Sequence, residues 1–249
     1  MEATINLYHS PSRLDGIGAA DLKHAAAVVI DVLRVSNSII TAIDNGCRRV
    51  IPVAEVYEAK AIAVRLSSEK PLLCGEREAR LIPGFDLGNS PAEYQRDRAH
   101  NRTLIFCSTN GTRALVCAAA AKLAVVGSFA NLSAVVEKLK TESKVAIVCG
   151  GLRDRLSLED TVCAGAFVDA LMRARPEGWK LSDAAAAAQG LFLHHANNLL
   201  AMARSSEHGS YLAEIGFEED IKFCTRVDGT KTVPVIRVDD LQLVTVSSS

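Results

Sequence analysis

Four times in this chain a short apolar run stops abruptly at a polar loop. The stops are Asp31-Val32-Leu33-Arg34, Gly75-Glu76-Arg77, Ser108-Thr109-Asn110-Gly111-Thr112 and Cys149-Gly150-Gly151. Such runs are too short for buried helices and suit strands covered on both faces, as in parallel sheets. Polar loops at the carboxyl ends of those strands are where open α/β sheets bind ligands. A further segment, Gly84-Phe85-Asp86-Leu87-Gly88-Asn89-Ser90-Pro91, is too rich in glycine and polar groups for a core. Its backbone amides need partners, from the protein or from a ligand. The pattern restricts the fold to α/β and points to an enzyme.

The order of elements follows from periodicity. Residues 25–33 read as a buried strand and 36–46 as a helix, with Ser36 as cap and Gly46 as stop. Strand 49–53, helix 55–66 and strand 71–74 complete a first round, and Pro91 suits the first turn of a short helix. The second round is strand 103–107, a helix from Thr112, strand 123–126, helix 131–140 and strand 144–149. The rounds repeat at a spacing of about 75 residues, so segments 25–100 and 101–175 are expected to be duplicated βα units. Ser157 and Asp160 open a helix to about Arg175, and the alanine-rich stretch 182–204 reads as one helix. Ser206-Glu207-His208-Gly209 marks a break before a helix over 210–216, and 233–238 and 241–246 are strands joined by Asp239-Asp240. The expected architecture is a single domain over 1–249, a three-layer α/β/α fold with a mostly parallel or mixed sheet.

Composition narrows the class of function. The 249 residues are 49% hydrophobic and 23% charged with net charge −1, which gives no basic surface for nucleic acid. The apolar runs are short and interrupted, so no membrane span is expected, and the N-terminus lacks the pattern of a signal peptide. Seven scattered cysteines without a CxxC pair fit the reduced thiols of a cytoplasmic protein. Apolar positions on the C-terminal helices suggest a homo-oligomer.

Asp31, Glu76 and Asp86 lie at or after expected strand ends. Carboxylates in that position suit Mg²⁺, which takes one or two of them together with water and substrate oxygens. Arg34, Arg77 and the amides around Asn110-Gly111-Thr112 are donors for an anion. Each residue also has a structural use. Asp31 can cap the next helix, Glu76-Arg77 can be an exposed turn, and Asp86, Asn89 and Ser90 can tie their own loop. His194 and His195 read as packing or surface residues, since neither has a zinc-ligand partner at the required spacing. No Walker loop, dinucleotide GxGxxG or DxDx[TV] signature occurs. The residues alone give a metal-assisted α/β enzyme acting on an anionic substrate.

Six motifs in order carry a resemblance. They are Asp31-Val32-Leu33-Arg34-Val35-Ser36, Gly75-Glu76-Arg77, the 84–91 segment, Ser108-Thr109-Asn110-Gly111-Thr112-Arg113-Ala114-Leu115, Gly127-Ser128-Phe129-Ala130-Asn131 and Ser157-Leu158-Glu159-Asp160-Thr161-Val162-Cys163-Ala164-Gly165. Together with Asp220 and Pro234 they resemble the 2-phosphosulfolactate phosphatase (ComB) family across residues 29–237. The resemblance implies Mg²⁺-dependent hydrolysis of (R)-2-phospho-3-sulfolactate to 3-sulfolactate and phosphate, a step of coenzyme M biosynthesis. It implies Asp31, Glu76 and Asp86 around the metal, and Asp31, Glu76, Arg34 and Glu159 in catalysis. Arg77, Asn89, Ser90, Thr109, Asn110, Gly111, Thr112, Ser128 and Asn131 would bind the small phosphorylated sulfonate. Two stretches depart from the family pattern, Glu78-Ala79-Arg80 and the charged Leu152-Arg153-Asp154-Arg155-Leu156. Both bear on the anion pocket, so another small phospho-acid is the alternative substrate, and a non-catalytic anion-binding protein the alternative class.

Overall fold

The computed structural model describes residues 2–14, 22–175 and 178–248. Among them the strands are β1 (Thr4–Tyr8), β2 (Ala26–Ile30), β3 (Arg49–Val53), β4 (Leu72–Arg77), β5 (Arg80–Leu81), β6 (Thr103–Cys107), β7 (Leu123–Gly127), β8 (Lys144–Cys149), β9 (Lys180–Leu181), β10 (Val235–Val238) and β11 (Val244–Ser247). The helices are α1 (Val35–Asp44), α2 (Val56–Arg65), α3 (Arg96–Ala99), α4 (Gly111–Ala118), α5 (Leu132–Leu139), α6 (Leu158–Ala174), α7 (Asp183–His195), α8 (Leu199–Ser205), α9 (Glu207–Glu214) and α10 (Glu218–Cys224).

All the strands join one mixed sheet in the order β5-β4-β6-β3-β11-β10-β7-β2-β8-β1-β9. Strands β4, β6 and β3 form one parallel block, and β7, β2, β8, β1 and β9 form another. The antiparallel hairpin β10–β11 bridges them, meeting β7 through Val235 and Ile236 and β3 through the pair Val246 and Val50. The first strand of each round is inserted between the second and third strands of the other: β6 between β3 and β4, β2 between β7 and β8. Neither round can cover its central strand alone, so the chain must assemble both before its core closes.

Helices α1 and α4 follow the two inserted strands and fill the layer that both blocks share. Ala27 and Val29 of β2 and Leu104 and Phe106 of β6 lie in one core with Ile39, Ile40, Ala114 and Leu115. The alternate residues Val28 and Ile30 face Val135 of α5 and Phe167 of α6, while Ile51 and Ile105 face Ala59 of α2. Alternation along each strand therefore covers both faces with helices, the expected three-layer α/β/α arrangement. Each fully buried Ile or Phe in these layers contributes about 1.5–3 kcal/mol.

Several boundaries differ from the sequence expectation, each for a physical reason. Gly75-Glu76-Arg77 is not a loop but the end of β4. A Cβ on Gly75 (φ +140°) would lie 1.8 Å from the Cys107 carbonyl oxygen, so glycine alone allows this pairing with β6. The stretch 182–204 is two helices, because Asn198 turns the chain and accepts the Ala201 amide at 3.0 Å as the cap of α8. Helix α9 begins at Glu207, with Ser206 capping it through the Gly209 amide at 3.0 Å. Ser36 lies inside α1, whereas Gly46 (φ +85°) follows its end as expected. Strand β1 and helix α10 lie outside the expected elements. No helix among the described residues is long and apolar enough to cross a membrane.

Candidate active site

Asp31 directly follows β2 and is 7% exposed. Its Oδ1 accepts the Val35 amide at 3.2 Å, and its own amide donates to Ser36 Oγ at 2.9 Å. Its other oxygen is walled by glycines. A Cβ at Gly111 would lie 2.4 Å from Oδ2, and one at Gly150 2.8 Å. Among the described residues Oδ2 takes no protein donor. Burial pushes the Asp31 carboxyl up to about 7, reinforced by Glu76 and Glu159 and opposed by the Val35 amide and Arg34.

Glu76, at the end of β4, is fixed by its neighbours. Its Oε1 accepts the Thr109 amide at 2.9 Å and the Thr109 hydroxyl at 3.0 Å, and its Oε2 accepts the Ala79 amide at 2.8 Å. These bonds clamp the loop after β6 against β4. Asp31 and Glu76 share a cleft of about 490 Å³ with Arg34, Arg77, Asn89 and Thr109.

Arg34 is buried, held from the C-terminal helices. Nη1 donates to Asp220 at 2.6 Å, Nη2 donates to the Ala79 carbonyl at 2.9 Å, and the guanidinium lies 4.1 Å over the Phe217 ring. Asp220 in turn accepts the Ser90 hydroxyl at 2.7 Å. This chain of charge-assisted bonds fixes the cation before any ligand arrives.

The start of α6 brings two more acids. Ser157 caps the helix through the Asp160 amide at 3.2 Å. The Asp160 carboxylate accepts the Val32 amide at 2.8 Å and the Gly151 amide at 3.1 Å, joining the loops after β2 and β8 behind Asp31. Burial, then Asp31 and Glu159, hold the Asp160 carboxyl well above the usual range. Glu159 is buried within the electrostatic reach of Asp31.

Sequence reading missed His208 and Tyr211, both of which line the cleft from α9. The His208 ring lies beside the Leu33 carbonyl, and burial lowers its affinity for a proton despite the pull of Glu159. A neutral imidazole with one nitrogen donating leaves the other as an acceptor. The Tyr211 hydroxyl donates to the Glu78 carbonyl at 3.1 Å. Their one sequence signal was a histidine in the first turn of a capped helix.

The structure brings some expected residues to the cleft and others not. Asn89 lines it, with a buried Oδ1 that has no partner among the described residues. Asn110 lines it, its Oδ1 accepting the Arg153 amide at 3.3 Å. Arg77 lines it but donates to the carbonyls of Glu76 at 3.0 Å and Ala54 at 2.8 Å. Gly111 forms a wall of the Asp31 pocket. Thr112 bonds back to Ser108, through its amide to Ser108 Oγ and through its hydroxyl to the Ser108 carbonyl, both at 3.1 Å. Ser90 points to Asp220. Asp86 is not brought to the acids: it is exposed, and its Oδ2 accepts the Leu73 amide at 2.8 Å. Ser128 and Asn131 sit on the loop after β7 and close on themselves. Asn131 Oδ1 accepts the Ser128 amide at 3.0 Å, and Nδ2 donates to the carbonyls of Val126 at 3.1 Å and Thr232 at 3.0 Å.

Two Cys-x5-Arg spacings also occur, Cys74 to Arg80 and Cys107 to Arg113. That spacing serves phosphatases whose nucleophile is a thiolate, which requires a lowered pKa. Here burial pushes both thiols up, and Cys107 Sγ lies by Arg77 and the Ala54 carbonyl rather than in the cleft. Neither makes a nucleophile.

Among the described residues no three His, Cys, Asp or Glu side chains gather into a ready metal cage. The donor set nevertheless fits Mg²⁺. Asp31 Oδ2 lacks a donor, and Glu76 is fixed by three donors with acceptor capacity left for one more bond. A divalent cation would offset the burial and the neighbouring acids that raise the Asp31 pKa.

The 2-phosphosulpholactate phosphatase family model matches residues 12–239. The chain is 42% identical over 210 residues to a probable 2-phosphosulfolactate phosphatase of Thermotoga petrophila, covering 84% of this chain and 88% of that protein. A protein of the same name from Caldanaerobacter subterraneus is 38% identical over 224 residues, covering 90% and 92%. One from Clostridium acetobutylicum is 36% identical over 221 residues, covering 88% and 93%.

Proposed function

The chain belongs to the 2-phosphosulfolactate phosphatase family and is a phosphoric monoester hydrolase; on that premise we propose that it hydrolyses (R)-2-phospho-3-sulfolactate to 3-sulfolactate and phosphate with Mg²⁺ bound by Asp31 and Glu76. The coenzyme M step belongs to the same reading. One observation carries it: a buried carboxylate at a strand end, walled by glycines and facing a second carboxylate across the cleft.

Magnesium, when bound, supplies positive charge to the phosphoryl oxygens and lowers the pKa of water. Everything else falls to the protein. Gly111 and Gly150 leave Asp31 Oδ2 bare, so a water or a cation can reach it. Glu76 keeps the loop after β6 against the cleft, placing Asn110 near the incoming ester. Arg34, immobilised by Asp220 and Ala79, contributes a fixed cation toward the developing charge without reorganising. The acceptor nitrogen of His208 is available to a hydrogen bond from a water. Burial of Glu159 and Asp160 keeps the loop floor closed to bulk solvent.

The test is phosphate release from 2-phospho-3-sulfolactate with Mg²⁺ or with EDTA, beside 3-phosphoglycerate and 2-phospholactate. Metal-dependent turnover favouring the sulfonate supports the reading. Metal-independent or indiscriminate turnover contradicts it.

A further inference from the structure

We propose that Arg153 is the specificity residue of this cleft, gripping the substrate's anionic group remote from the phosphoryl centre. The proposal rests on the phosphatase reading above and deepens it.

Three arginines line the cleft, and two of them have both terminal nitrogens bonded to the protein. Arg34 is committed to Asp220 and Ala79, and Arg77 to the carbonyls of Glu76 and Ala54. The Arg153 guanidinium has no acidic partner among the described residues, and the residue is exposed.

The turn that carries Arg153 is nevertheless built. Arg153 (φ +51°) and Asp154 (φ +60°) both adopt the left-handed conformation, as a tight two-residue hairpin turn requires. The surroundings are visible. The Leu152 amide donates to the Arg155 carbonyl at 2.9 Å, and the Arg155 amide returns to Leu152 at 3.0 Å. The Arg153 amide is bonded to Asn110 Oδ1. Asp154 pairs with Arg113 at 3.5 Å, and Arg155 with Glu207 at 2.9 Å. Of three consecutive charges, the last two face partners on α4 and α9, and the first is left beside the cleft. A flexible surface loop needs no such bracing.

The electrostatics call for a cation in this position. The floor of the cleft is acidic, with Asp31 and Glu76, and the substrate carries a carboxylate and a sulfonate besides phosphate. A metal at the floor neutralises the phosphoryl end only. An arginine at the rim answers the sulfonate at the far end, and its planar fork matches the sulfonate oxygens.

The experiment compares kcat/KM of wild type, Arg153→Ala and Arg153→Lys on 2-phospho-3-sulfolactate and on 2-phospholactate, which lacks the sulfonate. Calorimetric binding of 3-sulfolactate gives a second readout. The expected result for Arg153→Ala is a loss of about 30-fold on the sulfonate ester, mainly in KM, and less than about threefold on 2-phospholactate. Affinity for 3-sulfolactate falls in parallel, and Arg153→Lys lies between. Equal losses on both esters, or none on either, overturn the assignment and leave the phosphatase reading standing. Hydrolysis of neither ester by the wild type overturns that reading and the assignment with it.

Discussion

The loop after β2 and the loop at 84–91 look alike in sequence, yet they treat their aspartates in opposite ways. Asp31 is buried with one oxygen left without a donor, whereas Asp86 stands in solvent with its carboxylate on the Leu73 amide. The 84–91 loop satisfies most of its polar atoms within the protein. Glu93 accepts the amides of Gly88 at 2.8 Å and Ser90 at 3.3 Å, the Asn89 carbonyl accepts Ser38, and Ser90 holds Asp220. It is a brace that keeps Arg34 in place. The loop after β2 carries a costly buried acid whose Oδ2 takes no protein donor and opens to the cleft. Function shows itself in a buried acid kept open to a cleft, not in polarity as such.

The largest expected effect breaks the brace. Asp220→Asn leaves Arg34 buried without its counter-charge, and urea denaturation is expected to show a loss of about 3–5 kcal/mol. Unchanged stability would mean the 84–91 loop and α10 do not hold Arg34 in the way described. The next effect contrasts two glycines. Gly111→Ala drives a methyl group into Asp31 Oδ2 and is expected to lower kcat/KM about 100-fold. Gly84→Ala (φ +82°, with open space around its Cβ) should cost about 1 kcal/mol of stability with turnover kept. A reversal of the two outcomes would reverse the roles of the two loops.

A smaller effect concerns pH. The folded-state pKa of Asp31, about 7, lies above its ordinary 3.8, so the stability that Asp31 contributes is full below about 3.8 and is lost as pH rises through about 7. In metal-free buffer Asp31→Asn should therefore raise Tm by about 5 °C more at pH 8 than at pH 5. An equal gain at both pH values would contradict a buried, proton-holding Asp31. Smallest is Asp86→Ala, expected to cost about 1 kcal/mol through the lost Leu73 bond, with kcat/KM within about threefold of wild type.

What the sequence made legible was local. The apolar run from Ala25 reads as a strand reaching Leu33, although the strand ends at Ile30, where the Asp31 charge stops it; β3, β6 and β8 read in the same way, with bounds that match the structure. What it hid depends on distance or on a masked signal. Asp220 and His208 reach the cleft from helices far along the chain, and nothing near Arg34 in sequence announces them. Asn198 ends a helix inside an alanine-rich run whose propensity conceals the cap. Gly75 continues a strand because of the Cys107 carbonyl beside it, a contact that only the fold creates. Asp31 and Asp86 were both metal candidates by residue type, and burial separates them. The insertion of β2 and β6 into each other's rounds is likewise a property of the assembled sheet.

The most direct test is phosphate release from 2-phospho-3-sulfolactate at saturating Mg²⁺ by wild type, Asp31→Asn and Asp86→Asn side by side. The account predicts that Asp31→Asn lowers kcat about 1,000-fold while Asp86→Asn stays within about threefold of wild type. Full turnover in Asp31→Asn, or an equal collapse in both variants, would contradict it.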